Sequence, residues 1–191
     1  MNRVCKIHGM EGELLIKYIF VFGIIIALQG CLSINLAGVK SSGKLYETFY
    51  TGDGGTQYFI KPLPFKNEAK ERLKIDLTFR NGGKIEDTVI VNLSLFNKGL
   101  LKKIDSLSID NGSFNLVIKS IHNLFREKNK DQFVERFTAI AALPGLTELF
   151  KKNKWNIRIY SQDSLIQYTT PGATQKKLGK LNNDIFSLFG Q

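Results

Sequence analysis

The stretch RLKIDLTFR, Arg72 to Arg80, puts Leu73, Ile75, Leu77 and Phe79 at every second position, with Lys74, Asp76 and Thr78 between them. Successive side chains of a strand point to opposite faces, so this pattern predicts a strand with one buried and one wet face. Asn81-Gly82-Gly83 follows as a turn, because glycine tolerates positive φ. DTVIVNLSLF then alternates again through Val89, Val91, Leu93 and Leu95, and the two runs predict a hairpin whose loop residues 84–87 lengthen.

The same reading extends in both directions. LYETFY and TQYFIKPL flank Gly52-Asp53-Gly54-Gly55 as a second hairpin, which Pro62 and Pro64 should end at an edge or a loop. KIDSLSID and SFNLVIKSI flank Asp110-Asn111-Gly112, and Asn-Gly is a favoured hairpin turn; Phe114, Leu116 and Ile118 should face the core. KNKDQFVERFTAIAAL fits a strand through Phe133, Glu135, Phe137 and Ala139, although Phe133 and Phe137 also suit one helix face; the strand reading is preferred because the rest of the chain keeps that period. KWNIRIYS alternates through Trp155, Ile157 and Ile159, then turns at Ser161-Gln162-Asp163 into SLIQYTT.

Two segments read as helices. PGLTELFKK, after Leu143, predicts a short internal helix that begins at a proline. Thr170-Pro171 predicts a second start, with a hydroxyl cap and a proline in the first turn. Beyond it Leu178, Leu181, Ile185 and Leu188 form an amphipathic stripe, with Lys176, Lys177 and Lys180 off it. Such a helix covers the apolar face of a sheet; the other use of a basic stripe is to lie on a membrane or a partner. The whole is a β-rich α+β chain: about seven to nine short strands in an antiparallel β-sandwich or open sheet, a short internal helix and a C-terminal amphipathic helix.

The first 43 residues are different. Lys17 precedes an eleven-residue apolar run, Tyr18 to Leu28, which ends in Gln29, Gly30 and Cys31. A positive flank, a short apolar run and a small-residue end make the layout of a secretory leader, and the run falls well short of the about 20 residues that span a bilayer. Met10 is a candidate start besides Met1, because MEGELLIKYIF would open a more ordinary leader. The two cysteines, Cys5 and Cys31, both lie in this region, so no disulfide framework and no thiolate metal site is available to the rest of the chain.

Leu28-Gln29-Gly30-Cys31 resembles a lipobox, the processing motif of bacterial lipoproteins. That family carries leucine three positions before the cysteine and a small residue just before it, which Leu28 and Gly30 match; Gln29 departs, since small residues are commoner at its position. The resemblance implies that the Cys31 thiol carries a diacylglycerol, that the leader is cut away, and that the new amino terminus is acylated. A thiol is the nucleophilic handle for such a thioether, and acyl chains anchor at about 0.8 kcal/mol per buried CH₂. LSIN after Cys31 lacks the neighbouring aspartate that resembles an inner-membrane retention signal and the early acidic stretch that resembles a surface-export signal, which implies an outer-membrane lipoprotein facing the periplasm. The organisation expected is a leader over 1–30, a lipidated cysteine and flexible tether over 31–43, and one β-rich domain over 44–191.

Charge adds a partner class. The net charge is +10, of which Arg3, Lys6 and Lys17 against Glu11 and Glu13 leave +1 in the first 30 residues and +9 from Cys31 onward. A basic domain favours lipid headgroups, an anionic envelope polymer or an acidic protein, although the lysines and arginines are scattered along the sequence. Nucleic acid is disfavoured, since no module motif is found and the expected compartment is wrong for it.

Catalytic chemistry finds little to rest on. His122, in KSIHNLF, is the one histidine after Cys31 and cannot hold zinc without other strong ligands. No GxSxG elbow, phosphate loop or cofactor motif occurs, and GDGG at 52–55 lacks the further acidic ligands of a calcium loop. The carboxylates Glu86, Asp87, Asp105 and Asp110 are the remaining route to a hydrolytic pair. YFIKPLPFK mixes aromatics and lysines, as a carbohydrate platform does, although aromatic strands are commonly core. The expectation is a membrane-anchored, non-enzymatic binding or structural module, with no catalytic and no metal-binding residue assigned; the alternatives are a hydrolase of an envelope polymer that uses His122 with a carboxylate, and an inhibitor or immunity-like protein.

Overall fold

The computed structural model describes residues 44–82, 87–101, 103–162 and 164–189. Leu28, Gly30, Cys31, the rest of the leader and the tether lie outside the described residues, as does Glu86. Residues from Lys44 onward form a compact unit with its own core.

Among the described residues ten strands make one antiparallel sheet: β1 (Tyr46–Tyr50), β2 (Thr56–Lys66), β3 (Arg72–Asn81), β4 (Thr88–Asn97), β5 (Ser106–Asp110), β6 (Asn115–Ile118), β7 (Ile121–Asn129), β8 (Gln132–Ala142), β9 (Asn156–Ser161) and β10 (Ser164–Thr169). Their order is β6-β5-β9-β10-β2-β3-β4-β8-β7, with β1 on the same edge of β2 as β10. Helix α1 (Leu143–Phe150), helix α2 (Gly172–Asp184) and a 3₁₀ turn (Phe186–Leu188) complete the chain. The sheet curls until β6, at one end, touches β8, next to the other. One interior layer is therefore enclosed by a single, nearly barrel-like sheet, as it would be between the two sheets of a sandwich.

The alternating residues set the inner face. Leu73, Ile75, Leu77 and Phe79 of β3 lie opposite Leu95, Leu93, Val91 and Val89 of β4, and all eight are buried. Glu135, Phe137, Ala139 and Ala141 continue that face on β8. Helix α1 packs against β4, β6 and β8, and α2 against β2 and α1. An unbroken chain of rings joins helices to sheet. Phe65 stacks on Trp155, Trp155 meets Phe150 edge-on at 4.8 Å, Phe150 stacks on Phe186 at 3.7 Å, Phe186 meets Phe79, and Phe79 stacks on Tyr58.

Several local expectations need correction. The prolines do not end the second strand: β2 runs through Pro62 and Pro64 to Lys66. Pro62 falls where the β2–β3 register shifts between Ile60 and Leu63, so its missing N–H costs no ladder bond there. Ile121–Asn129, which includes His122, is a strand that the alternation did not reveal, because nearly all of it is exposed. Thr170 does not cap α2, whose first residue follows Pro171 with no side-chain cap. Its hydroxyl instead accepts from Trp155 N–H and donates to Trp155 C=O, both at 2.7 Å. Leu178, Leu181 and Ile185 are buried as the stripe requires, but Leu188 belongs to the 3₁₀ turn and is exposed.

Thr170→Val keeps the shape and removes both bonds to Trp155. It should lower the unfolding free energy by about 2 kcal/mol in denaturant titration, at about 1 kcal/mol per bond, whereas Thr170→Ser should stay close to the parent. Equal loss in both variants would contradict this role.

Candidate functional site on the outer face of the sheet

With the inner face filled, the other face of β1–β4, β7 and β8 turns to solvent, and the antiparallel register sorts its side chains into rows across the strands. Phe59, Thr78, Ile90 and Ile140 make one row; Phe59, Ile90 and Ile140 are exposed, and Phe49 meets Phe59 edge-on at 5.4 Å.

The next row is polar: Asp76, Asn92, Thr138 and His122. Asp76 Oδ2 accepts from Asn92 Nδ2 at 3.0 Å and from Arg136 Nη2 at 2.9 Å, and Arg136 Nη1 donates to Ser94 Oγ at 2.7 Å. Asp76 Oδ1 has no hydrogen-bond partner. A depression of about 260 Å³ lies over this group, walled by Phe59 and Pro62 and rimmed by the Lys61–Glu47 ion pair at 3.2 Å.

Farther along the strands, Lys66, Arg72, Phe96, Val134 and Glu127 form a row. The Arg72 guanidinium and the Lys74 ammonium sit 5.0 and 5.1 Å from the Phe96 ring centroid, within cation–π range. A second depression, of about 330 Å³, opens between Arg72, Phe96, Val134 and the β7–β8 turn, where Lys130 and Asp131 stand side by side. Among the described residues Lys66, Arg72 and Lys74 make no ion pair, whereas Lys61, Arg80 and Arg136 of the same face each have an acidic partner.

The residues singled out for catalysis are dispersed. His122 is exposed and lines an apolar hollow of about 220 Å³ with Ile90, Ser120, Thr138 and Ile140, and no carboxylate shares that lining. Asp105 pairs with Lys103 at 3.4 Å. Asp110 accepts from Gly112 N–H at 2.6 Å and from Arg158 at 3.4 Å. Asp87 offers its backbone carbonyl to Leu143 N–H at the start of α1. GDGG is a hairpin turn: Asp53 accepts from Thr51 Oγ1, from Gly55 N–H and from Arg80. Gly82, at φ +82°, lets the β3–β4 turn approach that tip so closely that a Cβ there would meet Gly54 O at 2.9 Å. The Thr51 hydroxyl, then the Arg80 guanidinium, hold the Asp53 carboxyl below its ordinary value of 3.8.

Glu135 and Tyr168 are buried polar groups: the alternation puts Glu135 on one face with Phe133 and Phe137 but does not reveal its partners, and nothing in the sequence marks Tyr168. Glu135, on the core face of β8, is fully buried; it accepts from Arg126 Nε and from Leu101 N–H, both at 2.9 Å, and Arg126 Nη2 also donates to Leu101 C=O. The fully buried Tyr168 donates its hydroxyl to Asn97 Oδ1 at 3.0 Å. Burial, and secondarily the charges of Glu71 and Glu135, push that hydroxyl well above the usual tyrosine range, so it stays a neutral donor. These groups tie the β4–β5 connection and β10 to the sheet. A cluster of metal-ligating side chains is not found among the described residues, and no described helix is long and apolar enough to cross a membrane. No family model, no curated protein and no solved structure matches the chain.

Glu135→Ala takes one acceptor from Arg126 and removes the acceptor of the Leu101 amide, and should cost about 3 kcal/mol, read by denaturant unfolding. A change under about 0.5 kcal/mol would contradict the clamp. Asp53 supplies a pH test. Its lowered value means that its contribution to stability is present above the unfolded value near 3.8 and is lost as pH falls through the folded value. Asp53→Asn should therefore lower the denaturation midpoint at pH 7, with the gap to the parent closing in acid; a gap independent of pH would rule this out.

Proposed function

We propose that this chain is a cell-envelope lipoprotein, held by lipid on Cys31 to the outer membrane on its periplasmic side, whose domain acts by binding through its surface. The observation that carries the anchor is Leu28-Gln29-Gly30-Cys31 directly after an eleven-residue apolar run. Leu28 and Gly30 serve processing, and Cys31 carries the diacylglycerol. The residues after Cys31 hold no retention-type aspartate, which supports the outer membrane.

The domain's polar groups support binding over bond cleavage. Glu135 and Tyr168 are spent on internal hydrogen bonds, Asp105 and Asp110 on local ion pairs, and His122 stands among apolar neighbours on the outer face. General acid–base work needs convergent groups within hydrogen-bond reach of a reacting atom. The outer face offers instead a broad mix of rings, cations and hydrogen-bonding side chains, which suits recognition.

Cells grown with labelled palmitate should incorporate label into the parent chain, and detergent phase separation should place it in the detergent phase. Cys31→Ser should lose the label and move to the aqueous phase. An unlabelled parent chain would overturn the lipoprotein reading.

A further inference from the structure

We infer that the outer face between β2 and the β7–β8 turn binds an acidic polysaccharide strand, its carboxylates on Lys66, Arg72 and Lys74 and a neighbouring sugar ring in the Phe59–Asp76 depression. The inference rests on the domain's being a binding module and is independent of the lipid on Cys31. Three observations lead to it.

The first is where uncompensated charge lies. The ion pairs of this face among the described residues are made toward the β1–β2 hairpin or the middle of the strands, whereas Lys66, Arg72 and Lys74, none of which has an acidic partner among the described residues, gather at the opposite end. Lys66 and Arg72 are paired across β2 and β3, and Lys74 is the next outward residue on β3. Arg72, which is exposed, and Lys74, which is half-buried, lean on the Phe96 ring, and this contact limits their motion. Cations so held lose less freedom on meeting an anion than free surface lysines do.

The second is spacing. Asp76 and Arg72 both point outward from β3, four residues apart, so the depressions beside them are separated by roughly 13 Å along the strand. Lys74 and Ser94 face each other between them. A short extended oligomer spans that path, and a single small anion does not.

The third is the mixed character of the lining. Asp76 and Glu47 border one depression and Asp131 the other. Carboxylates repel a ligand that presents phosphate alone, but those exposed at a rim, such as Glu47, accept from hydroxyls. Asn92, Ser94 and Thr78 add neutral hydrogen-bonding groups, and Phe59 supplies an apolar wall for the C–H face of a sugar ring. A polyhydroxylated, carboxylated chain satisfies all of these groups together. An anionic lipid surface would satisfy the cations and leave the neutral hydrogen-bonding groups and the apolar wall of the depression unused.

The test uses the full chain extracted from cells in mild detergent and titrated with oligogalacturonate by calorimetry, with neutral dextran oligomers, phosphatidylglycerol vesicles and a single-stranded oligonucleotide as comparisons. Oligogalacturonate should bind and dextran should not, with affinity falling as salt rises. The triple variant Lys66→Gln, Arg72→Gln, Lys74→Gln should weaken binding at least about tenfold, whereas Lys176→Gln with Lys177→Gln on α2 should leave it within about twofold, a contrast that separates a localised site from diffuse attraction. Thermal unfolding checks that the triple variant folds. Lys66→Gln alone, at the exposed end of β2, gives a second readout and should weaken binding by a smaller factor. The proposal is overturned by absence of oligogalacturonate binding, by equal losses in the β-face and α2 variants, or by vesicles or oligonucleotide binding where oligogalacturonate does not. Loss of membrane anchoring in Cys31→Ser with oligogalacturonate binding intact bears on the anchor alone.

Discussion

The chain of rings from Phe65 through Trp155, Phe150, Phe186 and Phe79 to Tyr58 is the contact on which the rest of this domain depends. These residues come from β2, β3, the residue before β9, helix α1 and the closing 3₁₀ turn, so the rings fasten α1 and the turn to strands far from them in sequence. Aromatic side chains bury large area per residue and gain further from edge and offset contacts. Trp155 is fixed as well as packed: its indole N–H donates to Leu149 and Lys152 carbonyls, and its backbone is gripped by Thr170. A ten-stranded sheet with one apolar face must curl or find cover for that face. Here it does both, and each helix buries one side in the shared core, through Leu146, Leu149 and Phe150 and through Leu178 and Leu181.

That solution divides the labour between the two faces. The interior accepts few polar groups and satisfies nearly all of each: Glu135 by Arg126 and the Leu101 amide, Tyr168 by Asn97. A buried charge left unpaired would cost several kcal/mol, so a clamp of this kind holds one arrangement of the β4–β5 connection against others. The outer face is under no such demand. Its residues are spaced by the same ladder that orders the core, so rigidity earned inside is transmitted outward as fixed distances between Phe59, Asp76, Lys74, Arg72 and Phe96. Surface recognition needs such fixed spacing more than it needs any single strong contact.

How much of this was legible in the sequence follows from which residues feel water on one side only. Arg72–Asn81 and Thr88–Asn97 alternate because one face of each is core and the other wet, and both were readable to within a residue or two. Ile121–Asn129 was not, since a strand exposed on nearly all its length has no period to display. Pro62 misled because a register shift removes the ladder bond that a proline would break, and register shifts are tertiary features. Thr170 misled because a hydroxyl beside a proline near a helix start looks like a cap until Trp155 is seen next to it. The alternation sets Glu135 on the face of Phe133 and Phe137, but its partners lie 9 and 34 residues away and leave no local mark. The motif that ends in Cys31 is a local string of residues and shows in the sequence as such, whereas the outer-face rows draw on strands whose paired side chains, such as Asp76 and Arg136, stand 60 positions apart.

The central claim is that the inner face of the sheet builds the domain and the outer face does its work. Hydrogen–deuterium exchange on the full chain, with and without an acidic oligosaccharide, locates the working face without any substitution. The account predicts added protection in residues 64–76, 92–97 and 129–136, with β5, β9 and β10 unchanged. Protection centred on β9 and β10, or on the His122 hollow, would contradict it.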